Sequence, residues 1–135
     1  CDPKARNYIV DRLSEKVMTI EEELGAIYDS IKRELPKGPH ELTEELATRA
    51  SVLARSAEIL GDAQRGFDKQ RGEIAENWAR SERKISPNVL KEIINGRCAD
   101  SHRLLILAER LNSTISHQMD AIRTIISFEK SLAQI

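Results

Sequence analysis

Aromatic residues and net charge are both scarce in this chain. Aromatics make up 4% of its 135 residues, and 21 Lys and Arg stand against 22 Asp and Glu. A charge balance near zero provides no basic field for binding nucleic acid. Because aromatic residues are so few, an aromatic-lined ligand pocket is not expected, and we predict no cofactor. The 32% of charged residues is typical of solvated helices that pack through aliphatic seams.

Long apolar runs are missing as well. The longest one, from Leu104 to Ala108, is far shorter than the roughly 18 residues of a membrane-spanning helix. The two cysteines, Cys1 and Cys98, form no close-spaced metal or redox motif, which favours free thiols and a cytoplasmic protein. The alternative is a processed lipoprotein that is tethered to a membrane through Cys1.

Aliphatic periodicity is what the sequence does have. From residue 10 to residue 31, apolar side chains repeat at intervals of three and four, as on a helix whose edge is covered by other helices. They are Val10, Leu13, Val17, Ile20, Leu24, Ile27 and Ile31. Because Asp2 and Pro3 form a start signal, the pattern predicts a first helix over residues 3–35. The length of the chain predicts one domain, residues 1–135.

A proline-rich connection separates this helix from a second one. Pro36, Gly38 and Pro39 break the helix, and the short link predicts that the next helix runs back antiparallel. The second helix is expected over residues 39–84, bent where glycines weaken it. Its predicted seam is Leu42, Leu46, Ala50, Leu53, Ala57, Leu60, Phe67, Ile74 and Trp78.

Ser86 and Pro87 then form a strong start signal for another helix. Whether that helix stops near Gly96 stays open, because Asn95 and Gly96 can act as a left-handed stop. If the chain forms a hairpin about Ser86, Arg71 comes close to Asp100 or Ser101, and by the same register Ile74 comes close to Cys98. We therefore expect an all-α fold: an elongated antiparallel helical bundle or coiled coil of three to four long helices.

The last stretch has a broader apolar face than a two-helix seam requires. Residues 104–135 contain only six charged side chains, three of each sign. Such a helix either lies at the centre of the bundle or keeps a surface for another protein. We assign the partner surface to Leu104, Leu111, Ile115, Ile122 and Ile126.

Motifs that carry chemistry are weak in this sequence. Cys98 and His102 share a helix face, but two ligands do not make a zinc site. The Glu-x-x-His pairs of two-iron bundles, the Gly-x-Ser-x-Gly turn and the phosphate-binding glycine loop are all absent from the sequence. We predict no catalytic residue and no metal site, and the protein is not expected to be an enzyme.

One stretch resembles a known family. Leu42, Leu46, Arg49 and Leu53 form a Leu-x-x-x-Leu-x-x-Arg-x-x-x-Leu pattern that an amphipathic last helix follows. Over about residues 39–128 the chain is similar to FlgN-type flagellar export chaperones. The resemblance implies a cytoplasmic chaperone whose C-terminal helical region binds export substrates. That region maps onto Leu104, Leu111, Ile115, Ile122 and Ile126.

Two hypotheses on function follow. The first is a non-enzymatic protein-binding module, an export chaperone or an adaptor, that covers an amphipathic segment of a partner protein. The second is a structural coiled coil that closes a homodimer through the broad C-terminal face. Neither involves nucleic acid or a membrane span.

Overall fold

A computed structural model describes residues 18–81 and 83–134, and this part of the chain contains four α-helices and no strand. The helices are α1 (Ile20–Ile31), α2 (Pro39–Arg80), α3 (Pro87–Arg97) and α4 (Ala99–Ala133). The all-α prediction is confirmed. Only α2 and α4 are long, at 42 and 35 residues, whereas α1 and α3 have 12 and 11.

The prediction of one helix over residues 3–35 is wrong. Met18 and Thr19 are not helical, and the Thr19 side chain caps α1 by accepting the N–H of Glu22 at 3.2 Å. Three acidic residues, Glu21 to Glu23, occupy the first turn, where the helix dipole favours negative charge. The helix ends at Ile31, four residues before Leu35. Val10, Leu13 and Val17 lie outside the described residues.

The other helix boundaries follow the sequence signals closely. α2 starts at Pro39 and is continuous to Arg80, four residues short of the predicted end, where Ser81 caps it through its N–H and hydroxyl. α3 starts as predicted, because the Ser86 hydroxyl accepts the N–H of Val89 at 3.3 Å. The stop that was left open near Gly96 falls at Cys98, which separates α3 from α4.

α2 and α4 run antiparallel in a single register. At one end, Ser101 donates its hydroxyl to the side-chain carbonyl of Gln70. In the middle, the Asn112 amide donates to the Ser56 hydroxyl at 3.3 Å. The predicted hairpin correctly brings the region of Arg71 level with Ser101, but it is Gln70 that contacts Ser101. The guanidinium of Arg71 lies instead 5.2 Å from the centre of the Phe67 ring.

α1 lies antiparallel to α2 and parallel to α4. Its first turn meets the start of α4, where Arg103 binds Glu21 at 3.1 Å. Its last turn meets the middle of α4, where the Gln118 amide donates to the carbonyl of Ile31 at 3.4 Å. α1 therefore runs beside α4 from about Arg103 to Gln118 and stops there.

The core forms between α1, α2 and α4. Each of the three helices contributes aliphatic side chains to one large cluster, and a smaller cluster lies at the start of α2. The large cluster contains Leu24, Ile27, Ile31, Val52, Ile59, Ala63, Leu105, Ala108, Leu111, Ile115 and Met119. The small one contains Leu42, Ile122 and Ile126.

Two isoleucines of α4 provide a matched test of this core. Ile115 is 0% exposed and Ile125 is 37% exposed. We expect Ile115→Ala to lower the free energy of unfolding by about 2–5 kcal/mol, because it leaves a cavity in a packed core. The same change at Ile125 removes a half-solvated side chain and costs well under about 2 kcal/mol. Urea unfolding followed by circular dichroism measures both, and equal losses would contradict the packing.

Candidate protein-binding groove

An open groove runs between α1 and α4 on the surface of the described chain. Its volume is about 410 Å³ and its lining is mainly apolar. The lining residues are Glu21, Leu24, Gly25, Tyr28, Leu107, Arg110, Leu111 and Thr114. A concave apolar surface of this kind is where soluble proteins bind ligands or other proteins.

Gly25 leaves the α1 side of the groove without a side chain at that position. Leu24 and Leu111 are buried and form the floor, while Tyr28 and Leu107 are exposed at the sides. At Gly25, no heavy atom lies within 4 Å of the position that a Cβ would take. The backbone of α1 is therefore accessible there, and another helix can approach it closely.

The charged residues at the two ends of the groove have partners within the chain. Glu21 at one end is paired with Arg103. At the other end, Lys32 lies 3.6 Å from Asp29 and its ammonium is 5.0 Å from the centre of the Tyr28 ring. Arg110 also lines the groove, and apart from its guanidinium the interior offers mainly apolar contact.

Partly buried ion pairs hold α1 in the position that forms the groove. Arg55 of α2 binds both carboxylate oxygens of Glu23, with one N–O distance of 2.8 Å. A second anchor holds the other end of α1, where Arg49, only 2% exposed, donates to the carbonyl of Ile31 at 3.3 Å and to Glu45 at 3.0 Å. Bidentate, desolvated pairs of this type fix geometry more than exposed pairs do.

A second apolar surface continues along α4 beyond the end of α1. Ile125, Phe128 and Leu132 are all exposed, Phe128 at 63%, and they lie at i, i+3 and i+7. We call these three residues the C-terminal ridge. Ile125 follows Leu107 by about five full helical turns, so the ridge and the groove lie on the same flank of α4.

The structure places the five predicted partner residues inside the fold. Leu111 and Ile115 belong to the large core cluster, against which Leu104 packs, and Ile122 and Ile126 belong to the small one. Their apolar contacts are made within the chain, and only Leu111 also reaches the groove. Whether a partner contacts the other four stays a prediction.

Sequence reasoning missed the residues that the structure leaves open, namely Gly25, Tyr28 and Phe128. Leu107 and Ile125 lie in the apolar last stretch, and apolar periodicity does not separate them from the buried stripe beside them. Glycine alone is no signal for the groove, because Gly61, Gly66 and Gly72 also lie in helical sequence. The length of α1 was the missing information, because it decides which part of α4 is covered.

The residues weighed for metal binding are not grouped. Cys98 is buried with a free thiol, and His102 stacks its ring 5.2 Å from that of Phe67. Within residues 18–81 and 83–134, no three His, Cys, Asp or Glu side chains converge as a metal ion would require. None of the four described helices combines the length and the hydropathy of a membrane span.

Comparison with known proteins gives no match. This holds for family models, for curated proteins and for solved structures. The resemblance to FlgN-type chaperones therefore stays a prediction.

The ion pair between Glu23 and Arg55 provides a test of how α1 is held. A double-mutant cycle with Glu23→Gln and Arg55→Met should give a coupling of about 0.5–3 kcal/mol, because both side chains are largely shielded from water. The matched control is Asp29→Asn with Lys32→Met, an exposed pair at the C-terminal end of α1, for which we expect roughly 0–1 kcal/mol. Denaturant unfolding measures both cycles, and a coupling at Glu23 no larger than at Asp29 would contradict the anchor.

Proposed function

We propose that this protein is a non-enzymatic protein-binding module that accepts the apolar face of a partner helix in the groove between α1 and α4. The observation that carries the proposal is an open, mainly apolar groove whose wall is lowered by Gly25. Helix-in-groove recognition uses such a surface, with anchor residues at i, i+3, i+4 and i+7.

The dimensions of the groove suit a helix better than a small molecule. The lining residues span residues 21–28 of α1 and 107–114 of α4, so the groove is about 12 Å long and can contact about two turns of a partner helix. A small-molecule site also needs a few convergent polar groups that fix orientation. The polar side chains that line this groove are Glu21, Arg110 and Thr114, and Glu21 is engaged by Arg103.

The cellular role that we propose is that of an export chaperone or an adaptor, acting in the cytoplasm as a single elongated helical bundle. Two features support it. The first is the leucine and arginine pattern from Leu42 to Leu53, and the second is the apolar surface that α4 keeps outside the core. Covering an amphipathic segment before export requires a groove of this kind and no catalytic group.

Filling the groove at Gly25 tests the proposal. Gly25→Trp places an indole in the groove, and we expect it to weaken binding of a helix by at least about tenfold, because the ring occupies the space of an anchor residue. The probe is a fluorescein-labelled amphipathic peptide with leucines at i, i+3, i+4 and i+7 and a neutral polar face, titrated by fluorescence anisotropy. Replacing a helical glycine does not weaken α1 itself, since glycine is the poorer helix former.

The control is Gly66→Trp, at an exposed glycine of α2 that likewise has no heavy atom within 4 Å of its Cβ position. It adds the same indole on a different helix and should leave binding unchanged. Capture of proteins from the native host provides a second readout. A captured protein counts as a partner only if the Gly25→Trp variant no longer binds it and the Gly66→Trp variant still does. Equal binding by both variants would exclude the groove as the site.

A further inference from the structure

Among residues 18–81 and 83–134, nothing occupies the groove and nothing covers the C-terminal ridge. From this pairing we infer that the groove accepts the C-terminal ridge of a second copy of this chain, in an antiparallel, two-fold symmetric dimer. The inference rests on the proposed function of the groove and identifies one occupant for it. Ile125, Phe128 and Leu132 have the i, i+3, i+7 spacing of anchors that enter such a groove.

The spacing along α4 is self-complementary. Eight residues on this flank follow one another at alternating intervals of four and three, and the series has the same intervals when it is followed from either end. They are Leu107, Leu111, Thr114, Gln118, Ala121, Ile125, Phe128 and Leu132. A symmetric dimer requires one patch that fits itself after a two-fold rotation, and this series has that property.

The matching brings ridge residues to groove residues. Placing two copies antiparallel about the midpoint of the series sets Leu132 of the second copy against Leu107, and Phe128 of the second copy against Leu111. In the same register, Ile125 of the second copy meets Thr114. Leu107, Leu111 and Thr114 all line the groove, so the three anchors meet its α4 side. The two-fold axis repeats each contact.

The length of α1 fits this arrangement. α1 lies beside α4 only from Arg103 to Gln118. In the antiparallel register, Gln118 comes level with Ala121 of the second copy, so the α1 helices of the two copies occupy successive levels and do not collide. A parallel dimer would place both α1 helices at the same level and would set the ridge against the ridge, leaving both grooves empty.

Charge is compatible with the same register. None of the eight matched residues is charged, so no like charges are forced together at the seam. The matched series can therefore be buried between the two copies without burying a charged side chain.

The first test is the mass of the full chain in solution, measured by sedimentation equilibrium from low to high micromolar concentration. We expect a dimer whose dissociation constant rises at least about tenfold in Phe128→Glu, which removes an anchor, and in Gly25→Trp, which fills the groove. Both positions are exposed, so the fold is retained, and circular dichroism verifies this. The controls are Val89→Glu, a 47% exposed apolar residue of α3, and Gly66→Trp.

Disulfide trapping tests the orientation. With Cys1→Ser as the background and the native Cys98 buried, Leu107→Cys and Leu132→Cys are made in separate proteins and mixed under mild oxidation. The antiparallel dimer gives the mixed disulfide in excess over either symmetric one. A symmetric Leu132 disulfide in excess would instead indicate a parallel pair and would overturn the inference.

The outcomes separate this inference from the proposed function. A monomer at every concentration, or a dimer that tolerates Phe128→Glu, overturns the second copy as occupant. If there is no such dimer but Gly25→Trp still weakens binding of the labelled peptide, the groove remains a binding site for other helices. If Gly25→Trp affects neither the peptide nor the dimer, both the groove and its occupant are excluded.

Discussion

α2 and α4 run antiparallel, with Leu42 packed near Ile122 at one end and Gln70 bonded to Ser101 at the other, and this pairing positions every other element. α1 has only 12 residues, a length at which an isolated helix is marginal in water. Its stability must come from burying one face on the surface that α2 and α4 provide together. The groove is the outer edge of that contact, so its shape depends on the pairing of the two long helices.

Polar groups decide where α1 lies on that surface. Arg49 is almost wholly buried, and it donates to the last carbonyl group of α1 as well as to Glu45. A buried guanidinium that loses its partners strongly destabilises a protein. A shift of α1 along α2 would remove the carbonyl partner of Arg49 and would therefore lower the stability of the fold. Apolar contacts alone are not directional and would tolerate such a shift. The pair of Glu23 with Arg55 acts in the same way at the other end of the helix.

The starts of α2 and α3 were predictable because each has a local signal in the sequence. Prolines and caps mark the starts at Pro39 and Pro87, and the level of the hairpin follows from counting residues on either side of Ser86. The face of α2 was misjudged, because Ala50 and Ala57 are exposed whereas Arg49 and Ser56 are buried. Apolar periodicity cannot recognise a polar residue that is buried with its partners. The start of α1 has a signal in the sequence as well, the Thr19-x-x-Glu22 pattern of a capping box.

The candidate site was not predictable, because α4 has two adjacent apolar stripes, and only tertiary packing decides which one is covered.

The groove and the ridge have one common cause, which is the short length of α1. A helix that continued to Leu35 would extend about 6 Å further along α4, toward the level of Ile125. Instead α1 ends at Ile31, and the chain turns away through two prolines toward α2. Exposed leucine, isoleucine and phenylalanine in a row are a liability for a protein at any appreciable concentration, because they promote association. The same flank of α4 also carries an apolar groove, so the inferred dimer would bury the exposed side chains that otherwise promote non-specific association.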